Sequence, residues 1–425
     1  MSEKDDNHSS LIARRSSLLS LARRSSLFRI AVGVALGCIP LAGYIAAVRL
    51  GYLNPPFGAA VSFAGYSGNA IPEPLLAQRI HLPDGFRINT YAGGIPNARL
   101  LRFTPAGDLL VSAPGQSKVL LVERDRNGDG VADGKRVLLD GLTLPHGLAL
   151  HGEWLYIADA TGVLRVGFDS ASGSVRGAPE RIVGRVPDGG SHWTRTVAVG
   201  PDEKLYLSVG SSCNVCQEAD PRRAAILRYD LDGRHETIYA TGLRNSVGLA
   251  WQPGSGALYA TDNGRDWLGD DFPPCELNRI VEGGFYGWPF ANGDRVPDPD
   301  FGAGHDAEIA ASIPPAHGFG AHTAPLGISF YDPPAGARSA FPSRYRGAAF
   351  VAQHGSWNRT EKAGYRVVAL QFAADGGIRE EVFANGFLRD GSVSGRPVDV
   401  AVGPDGALYV SDDFTGSIYR ITYER

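Results

Sequence analysis

The sequence has little methionine and cysteine, and it lacks two common enzyme motifs. Of its 425 residues, one is Met, the initiator, and four are Cys. A Met-poor chain lacks the soft side chains that adapt to many binding partners. No G-x-S-x-G occurs, which excludes a serine hydrolase of the nucleophile-elbow type. No G-x-G-x-x-G occurs in a βαβ setting, so nothing supports a nicotinamide-dependent route.

Positive charge is not clustered outside the N-terminus. Residues 1–29 carry a net charge of +3, and the remainder carries −7. A nucleic-acid-binding surface needs clustered Lys and Arg, and the main body has no such run, so no nucleic-acid partner is expected. The 55 Gly and 28 Pro residues instead indicate many tight turns.

The N-terminus has the pattern of an export or anchor signal. After the basic region 1–29, residues 30–48 contain no charge. Nineteen apolar residues can cross a bilayer as a helix, with the basic flank on the cytoplasmic side. We therefore predict a transmembrane or signal-anchor helix over 30–52, with a buried core helix as the alternative, and a Pro/Gly-rich linker over 53–80. Residues 81–425 are then periplasmic, anchored to the inner membrane or exported.

Cys213 and Cys216 form a CxxC pair. No His follows it, as haem attachment requires, and there is no second CxxC for a four-thiolate zinc site. In an exported domain this pair predicts a local disulfide, with a redox-active pair as the alternative.

One pattern recurs six times beyond the linker: an apolar strand, a turn rich in Pro, Asp or Gly, and a second strand of the Leu-Tyr-Val type. The copies begin at Leu101, Gly147, Val197, Gly248, Gly327 and Val400. Strand repeats of roughly 45–50 residues are typical of propellers. The sequence therefore predicts an all-β, six-bladed β-propeller preceded by the N-terminal helix. A jelly roll or two β-sandwiches are the alternatives, and residues 264–325 form a long insertion that we expect to be functional.

Polar side chains stand in the turns before copies two to six. They are His146, His192, Arg244 with Asn245, His322 and Arg396, and His146 and His322 are the alternatives to His192 as a base. The inner strands of a propeller start around its central channel, so these side chains should converge there. Together they predict a basic, proton-accepting pocket for an anionic ligand.

A separate segment has the spacing of a calcium-binding loop. Asp125, Asn127, Asp129 and Asp133 place oxygen ligands at positions 1, 3, 5 and 9, with Gly at position 6. Position 12 is Arg136 instead of Glu, so the loop is not a full EF-hand loop. A structural Ca²⁺ and a plain Asx-rich turn are both open interpretations, and the segment is expected to join two strands of one blade.

Several longer motifs are more specific. They are VAVGPDEKLYLSVGSSCNVC, GLRNSVGL, ELNRIVEGGFYGWP, FVAQHGSWNR and GRPVDVAVGPDGALYVSDD. Over residues 80–425 the chain resembles the soluble quinoprotein glucose dehydrogenases, and more closely the sorbosone/pyranose dehydrogenase branch of that superfamily. The resemblance implies pyrroloquinoline quinone (PQQ) and Ca²⁺ as cofactors. It also implies oxidation of a sugar hydroxyl or sugar aldehyde by hydride transfer to the quinone, with an external electron acceptor such as a quinone or cytochrome c.

The resemblance also implies roles for individual residues. His192 matches the general base, and Arg244 and Asn245 match the catalytic and cofactor-binding pair beside the reactive carbonyl of the quinone. Gly264 and Arg265 match the two positions whose backbone carbonyls bind the cofactor Ca²⁺.

The quinone carboxylates have less complete matches. Arg396 matches the first of two arginines that bind them, whereas the second falls on Val398, and the lysine of the family has no clear counterpart. His354 or Arg359 is expected to substitute, with His146 as a further cofactor contact. Cys275 stands where relatives commonly have Asp.

Two other functions remain as alternatives. One is a Ca²⁺-dependent lactonase or other hydrolase on a six-bladed propeller, and the other is a non-catalytic glycan-binding propeller. Arg244, Asn245 and the GFYGWP motif favour the dehydrogenase.

Overall fold

The structure is a computed structural model that describes residues 68–424. Its large sheets number six in this part of the chain, each with four or five strands. The first strands of these sheets contact one another in cyclic order. The sheets are therefore the blades of a propeller around a central channel, and the predicted six-bladed β-propeller is confirmed.

Neighbouring strands within a blade are antiparallel, except that the short fifth strand of blade 3 is parallel to its neighbour. The first four strands of blades 1 to 5 occur in chain order, whereas the outer strand of blade 6 comes from the start of the described chain. Blades 1 to 3 contain Leu101–Phe103, Leu109–Ala113, Lys118–Glu123 and Gly134–Leu139; Gly147–His151, Trp154–Asp159, Gly162–Asp169 and Ser174–Val183; and Arg195–Val199, Lys204–Val209, Ala225–Asp230, Thr237–Thr241 and Gly284–Phe285. Blades 4 to 6 contain Ser246–Trp251, Leu258–Asp262, Pro274–Ile280 and His317–Ala321; Pro325–Phe330, Ala349–Gln353, Arg366–Phe372 and Ile378–Ala384; and Pro397–Val402, Leu408–Asp412, Ser417–Tyr423 and Phe86–Ala92.

Burial differs along each blade. The second strands are buried on both faces, as in Leu109–Ala113 and Leu408–Asp412, because a neighbouring blade packs against each side. The fourth strands reach the rim, and Ser174–Val183 is mostly exposed or half-buried. The repeated Leu-Tyr-Val-type segments therefore form the interior of the propeller.

The first and last strands of the described chain pair with each other and close the ring. Phe86–Ala92 is the outer strand of blade 6, where it pairs with Ser417–Tyr423, with Ile88 opposite Ile421. The Phe86 ring makes edge contacts with Phe341 and Phe383 at centroid distances of 4.7 and 5.0 Å. Strand pairing and aromatic packing thus join the first described strand to the last.

The insertion of residues 264–325 is partly built into the blades. Pro274–Ile280 and His317–Ala321 are the third and fourth strands of blade 4, and Gly284–Phe285 extends blade 3. Between them lie a short ribbon, Ala291–Asn292 with Val296–Pro297, and the helix Asp306–Ala311.

The predicted membrane segment, residues 30–52, lies outside the described residues. Within residues 68–424, no helix is both long and apolar enough to span a bilayer. The end of the predicted linker forms the helix Glu73–Arg79, and its Leu76 is fully buried in the same hydrophobic cluster as Phe86. The domain boundaries stay predictions.

Neighbouring inner strands approach one another most closely at glycines. The hydroxyl of Thr261 in blade 4 donates a hydrogen bond to the carbonyl of Leu326 in blade 5 at 2.6 Å. A Cβ on Gly248 would collide with that carbonyl and would lie 2.8 Å from Ile328 Cγ2. Gly248 therefore permits the contact between blades 4 and 5.

Gly248→Ala should lower the free energy of unfolding by roughly 1–3 kcal/mol, the usual cost of overpacking a tight interior. Gly93→Ala is the matched control, because a Cβ there meets nothing within 4 Å. Thermal or denaturant unfolding measures both. Equal stability of the two variants would contradict the role given to Gly248.

Candidate active site

His192 lies in the turn before blade 3 and is half-buried. Its Nδ1 lies 2.9 Å from the carbonyl oxygen of Ser211 and 2.9 Å from Ser211 Oγ. A carbonyl oxygen only accepts, so Nδ1 carries the proton and Nε2 keeps a free lone pair. Burial, with the charge of Arg244 second, holds the pKa of His192 well below its usual range. The imidazole is therefore neutral near pH 7 and can accept a proton.

Gly210 lets His192 approach the turn before blade 4. A Cβ on Gly210 would lie 2.7 Å from His192 Cβ and 2.7 Å from Asn245 Oδ1. Asn245 Oδ1 is buried and has no hydrogen-bond partner. His192 and Asn245 therefore lie side by side, and Asn245 has unused hydrogen-bonding capacity.

Arg244 is buried, and all five of its N–H groups are satisfied. Nη1 donates to the carbonyls of Asn263 and Gly264 at 3.1 and 2.9 Å. Nη2 donates to Asn214 Oδ1 at 2.8 Å and Asp266 Oδ2 at 3.1 Å, and Nε donates to the Asn214 carbonyl at 2.8 Å. A guanidinium held by five bonds presents a fixed positive charge.

Asp266 links Arg244 to two other loops. Its Oδ1 accepts a hydrogen bond from Asn358 Nδ2 at 2.9 Å and lies 3.8 Å from His322 Nδ1. His322 Nε2 lies 2.8 Å from the carbonyl of Gly269 and therefore donates to it. Arg244, Asp266, His322 and Asn358 thus form one polar cluster.

A small cavity lies behind Arg244, lined in part by Asp262 and Glu276. These carboxyl groups are directly opposite each other on neighbouring strands of blade 4. Burial raises the pKa of Asp262 to about 7. Burial, and after it the charge of Asp262, raises the pKa of Glu276 to about 8. Asp262 Oδ1 accepts the backbone N–H of Asn245 at 2.6 Å, which positions the turn that carries Arg244 and Asn245.

A second polar cluster joins blades 1, 5 and 6. Asp413 accepts hydrogen bonds from Arg99 and from His354 Nε2, both at 2.8 Å. Burial and the nearby Arg396 lower the pKa of His354 to about 4. Burial opposes ionisation of Asp413, but His354 and Arg99 hold its pKa below the usual range. Arg396 donates to the carbonyls of His354 and Gly355, both at 3.2 Å.

Trp193 connects His192 to this second cluster. It follows His192 in sequence, its ring lies 5.7 Å from the Arg99 guanidinium, and it makes an edge contact with His146 at 5.6 Å. His146 is fully buried, with Nδ1 3.2 Å from the Arg195 carbonyl and with Nε2 unpartnered. Trp193 therefore links His192 to His146. Through Arg99 it also links His192 to the cluster that contains His354 and Arg396.

Two predicted residues have side chains directed elsewhere. Arg359 donates to the Asp270 carbonyl and pairs with Asp271 at 3.3 Å. The Arg265 guanidinium forms a buried ion pair with Asp298, the shorter of its two contacts being 2.6 Å. The Arg265 guanidinium is thus taken up by a carboxylate, and metal binding by the backbone carbonyls of Gly264 and Arg265 stays a prediction. In this structure the Arg359 side chain contacts the 270–271 loop instead of the His354–Arg396 cluster.

The acidic segment joins the third and fourth strands of blade 1, as predicted. Asp125 accepts the backbone N–H groups of Gly128 and Gly130 at 2.6 and 2.8 Å. Asn127 and Asp129 accept backbone N–H groups two residues further on, and Asp133 pairs with Arg126 at 3.0 Å. These are the contacts of an Asx-rich turn, and calcium binding by Asp125, Asn127, Asp129 and Asp133 stays a prediction.

The predicted disulfide is confirmed, since Cys213 and Cys216 are bonded. It encloses Asn214, which contacts Arg244, so the bridge belongs to the site.

Sequence analysis missed several residues of the site, among them Arg99, Asn214, Asp266 and Asp413. Arg99 had a detectable signal, because it stands just before the first strand of blade 1, in the turn that carries polar residues in the other blades. Asn214, Asp266 and Asp413 are ordinary polar loop residues whose partners are distant in sequence, so their positions gave no signal.

Asp413→Asn removes the charge that balances buried Arg99, and should lower the free energy of unfolding by roughly 3–5 kcal/mol. Asp390→Asn, the same chemical change at a side chain that is 94% exposed, should alter it by less than about 0.5 kcal/mol. Denaturant unfolding compares the two. A similar small effect in both would show that the Arg99–Asp413–His354 cluster is not a structural unit.

Comparison with known proteins identifies the family. The sequence model described as TrAA12-like matches residues 80–273 and 292–424. An uncharacterized protein of Borreliella burgdorferi is 30% identical, covering 88% of this chain and 99% of its own length. The PQQ-dependent pyranose dehydrogenase of Coprinopsis cinerea is 24% identical over 82% of this chain and 55% of its own length. The PQQ-dependent sugar dehydrogenase of Hypocrea jecorina is 24% identical over 82% of this chain and 89% of its own length.

Solved structures agree on the fold. The holo PQQ domain of the Coprinopsis cinerea pyranose dehydrogenase matches with a TM-score of 0.68 and 22% identity, over 81% of this chain and 97% of that one. The calcium structure of the Trichoderma reesei AA12 enzyme matches with a TM-score of 0.70, 22% identity and the same coverage. The chain belongs to the TrAA12-like family, whose relatives named here include PQQ-dependent pyranose and sugar dehydrogenases.

Proposed function

We propose that this protein is a PQQ- and Ca²⁺-dependent dehydrogenase that oxidises a sugar hydroxyl or a sugar aldehyde of the sorbosone or pyranose type. The observation that carries the proposal is the arrangement at the channel: a neutral His192 with a free Nε2 beside a fixed Arg244 charge. The family supports the cofactor and substrate class, because its named relatives use PQQ to oxidise sugars. No observation favours the lactonase or the glycan-binding propeller.

The described residues fit a quinone that carries several carboxylates. His146 Nε2 and Asn245 Oδ1 are buried polar atoms without partners, and such atoms call for a ligand or water. Arg99, Arg396 and Arg244 supply positive charge around them. We propose that Arg396 and His146 contact the carboxylates and that Arg244 and Asn245 contact the reactive part of the quinone. His354 supports binding of the quinone through its hydrogen bond to Asp413. Arg359 supports it through its contacts with the loop at 270–271.

The oxygen atoms near Arg244 are of the kind that binds Ca²⁺. Carbonyl oxygens of Asn263 and Gly264 and a carboxylate of Asp266 converge here, and hard oxygen ligands suit Ca²⁺. In this structure they surround the Arg244 guanidinium. We propose that the carbonyls of Gly264 and Arg265 would hold the Ca²⁺. The Gly264 carbonyl can take part although it accepts a hydrogen bond from Arg244, because a carbonyl oxygen has two lone pairs.

When bound, PQQ supplies a two-electron acceptor for the oxidation of the sugar. His192 Nε2 takes the proton of the substrate hydroxyl or aldehyde hydrate, and the Nδ1–H bond to Ser211 holds the imidazole in the correct tautomer. Arg244, already oriented by five hydrogen bonds, stabilises negative charge that develops nearby without reorganising. Asn245 adds a neutral polar contact next to the base.

We also propose the electron acceptor and the location. Electrons taken up from the sugar leave to an external quinone or cytochrome c, as the resemblance implies. Periplasmic location and membrane anchoring depend on residues 1–52, which are not described. A C-terminal reporter that is active only outside the cytoplasm would support them, and one that works in the cytoplasm would contradict them.

Adding PQQ and Ca²⁺ to the purified protein should give a shifted quinone absorption spectrum and sugar-dependent dye reduction. Chelation of Ca²⁺ before addition of PQQ should abolish dye reduction, because a metal that polarises the quinone carbonyl is then missing. A panel of aldoses, ketoses, sorbosone-like aldehydes and polyols defines the substrate. Binding of PQQ without reduction by any sugar would overturn the proposed activity.

His192→Ala should lower turnover by roughly 10²–10⁴-fold with PQQ affinity nearly unchanged, because it removes the proton acceptor. In the wild type, kcat/KM should stay constant below the usual pH range of His titration and fall only at more acid pH, where His192 gains a proton and ceases to be a base. His146→Ala should reduce PQQ affinity more than turnover at saturating PQQ. Turnover of His192→Ala within a few-fold of wild type would exclude it as the base.

A further inference from the structure

The loop closed by the disulfide contacts the site through one residue. Asn214 accepts Arg244 Nε at its carbonyl and Arg244 Nη2 at Oδ1, both at 2.8 Å. The same Oδ1 accepts the backbone N–H of Asp266 at 2.8 Å, and Nδ2 donates to the Asp266 carbonyl at 3.1 Å. Asn214 therefore holds one edge of the Arg244 guanidinium and both backbone groups of Asp266.

The rest of the loop fixes Asn214 in this position. The disulfide leaves only Asn214 and Val215 between its two cysteines, which restricts the conformations open to the loop. Ser211 Oγ donates to the Cys213 carbonyl at 2.7 Å, and Glu218 accepts the Ser212 hydroxyl at 2.8 Å. Ser211 is also the residue that orients His192.

Loss of this contact would affect Arg244 more than the fold. The Arg244 side chain is 6% exposed, so water cannot readily replace the two acceptors that Asn214 supplies. The blades are held by their own ladders and hydrophobic clusters, whereas residues 213–216 lie in a loop outside the strands.

We propose that Asn214 is a positioning residue of the dehydrogenase site, and that the Cys213–Cys216 disulfide keeps Asn214 where it holds Arg244 and Asp266. The proposal rests on the proposed function for its effect on catalysis, but not for the effect on Arg244 itself. A dithiol that reduces the disulfide transfers two electrons and two protons to give two cysteine thiols, and itself becomes a cyclic disulfide. Reduction then loosens Asn214 and weakens the site while the propeller stays folded.

The charge of Arg244 gives a readout that a purely structural role would not change. His192 faces the cations Arg244, Arg195 and Arg223 and the hydrogen-bonding groups of Ser211, and Arg244 is the strongest of these charges acting on it. If Arg244 moves away when Asn214 is lost, the repulsion falls and His192 gains a proton at higher pH.

The experiment compares Asn214→Ala with Val215→Ala, the other residue enclosed by the disulfide, which makes no hydrogen bond to Arg244 in the described structure. The His192 imidazole is titrated by NMR in the protein without added cofactor, and PQQ affinity is measured separately. Asn214→Ala should raise the pKa of His192 and weaken PQQ binding by about 10–100-fold, the usual loss for removing a residue that orients a ligand-binding group. Its melting temperature should stay close to that of Val215→Ala.

Wild-type protein treated with dithiothreitol should change in the same direction, and the variant Cys213→Ser/Cys216→Ser should not respond to dithiothreitol. If Asn214→Ala keeps the His192 pKa and PQQ affinity of Val215→Ala, the positioning role is refuted. If reduced wild type keeps the values of the oxidised protein, the role of the disulfide is refuted. If wild type itself binds no PQQ, the proposed function fails, while the NMR titration still decides whether Asn214 holds Arg244.

Discussion

The whole structure depends on closing a ring of six blades with a strand from the opposite end of the described chain. Phe86–Ala92 supplies the outer strand of the blade built from the last strands, and Phe86 packs into the aromatic cluster beside it. A closed ring leaves no blade without two neighbours, so the hydrophobic faces of all six are covered. It also places the turn before each inner strand around one channel. The active site is therefore a consequence of ring closure, because no single blade contains it.

Charge in that channel is arranged so that His192 stays neutral while the neighbouring arginine side chains stay fixed. Arg244 is held by two carbonyls of its own blade, by Asp266 and by Asn214. Arg99 and His354 share Asp413. Arg244 and Arg99 each pair with a carboxylate, so neither needs a bound anion to be stable. Burial, with the Arg244 charge second, holds the pKa of His192 well below its usual range. The site thus combines fixed positive charge with a neutral imidazole.

The sequence predicted the positions that repeat and missed those that do not. His146, His192, Arg244, Asn245 and Arg396 precede strands of the repeat, so their common placement followed from the six copies. Asn214 and Asp266 lie in loops of different blades, and Asp413 lies after the second strand of the last blade. Their importance comes from contacts with residues 22 to 314 positions away, and no local pattern encodes such contacts. Arg359 is a cation in the motif FVAQHGSWNR and was therefore predicted to bind a quinone carboxylate. In the structure its guanidinium contacts Asp270 and Asp271 instead.

By itself, the sequence determined the all-β class, the number of blades, the disulfide and the family, because alternation, repeat spacing, paired cysteines and extended motifs are local properties of the chain. Only the tertiary structure decided which polar residues meet. It put Asn214 against Arg244, gave Asp413 hydrogen bonds from both Arg99 and His354, and oriented His192 through Ser211. The physical reason is that a blade can be recognised from its own strands, whereas the site exists only where turns from several blades are brought within hydrogen-bonding distance.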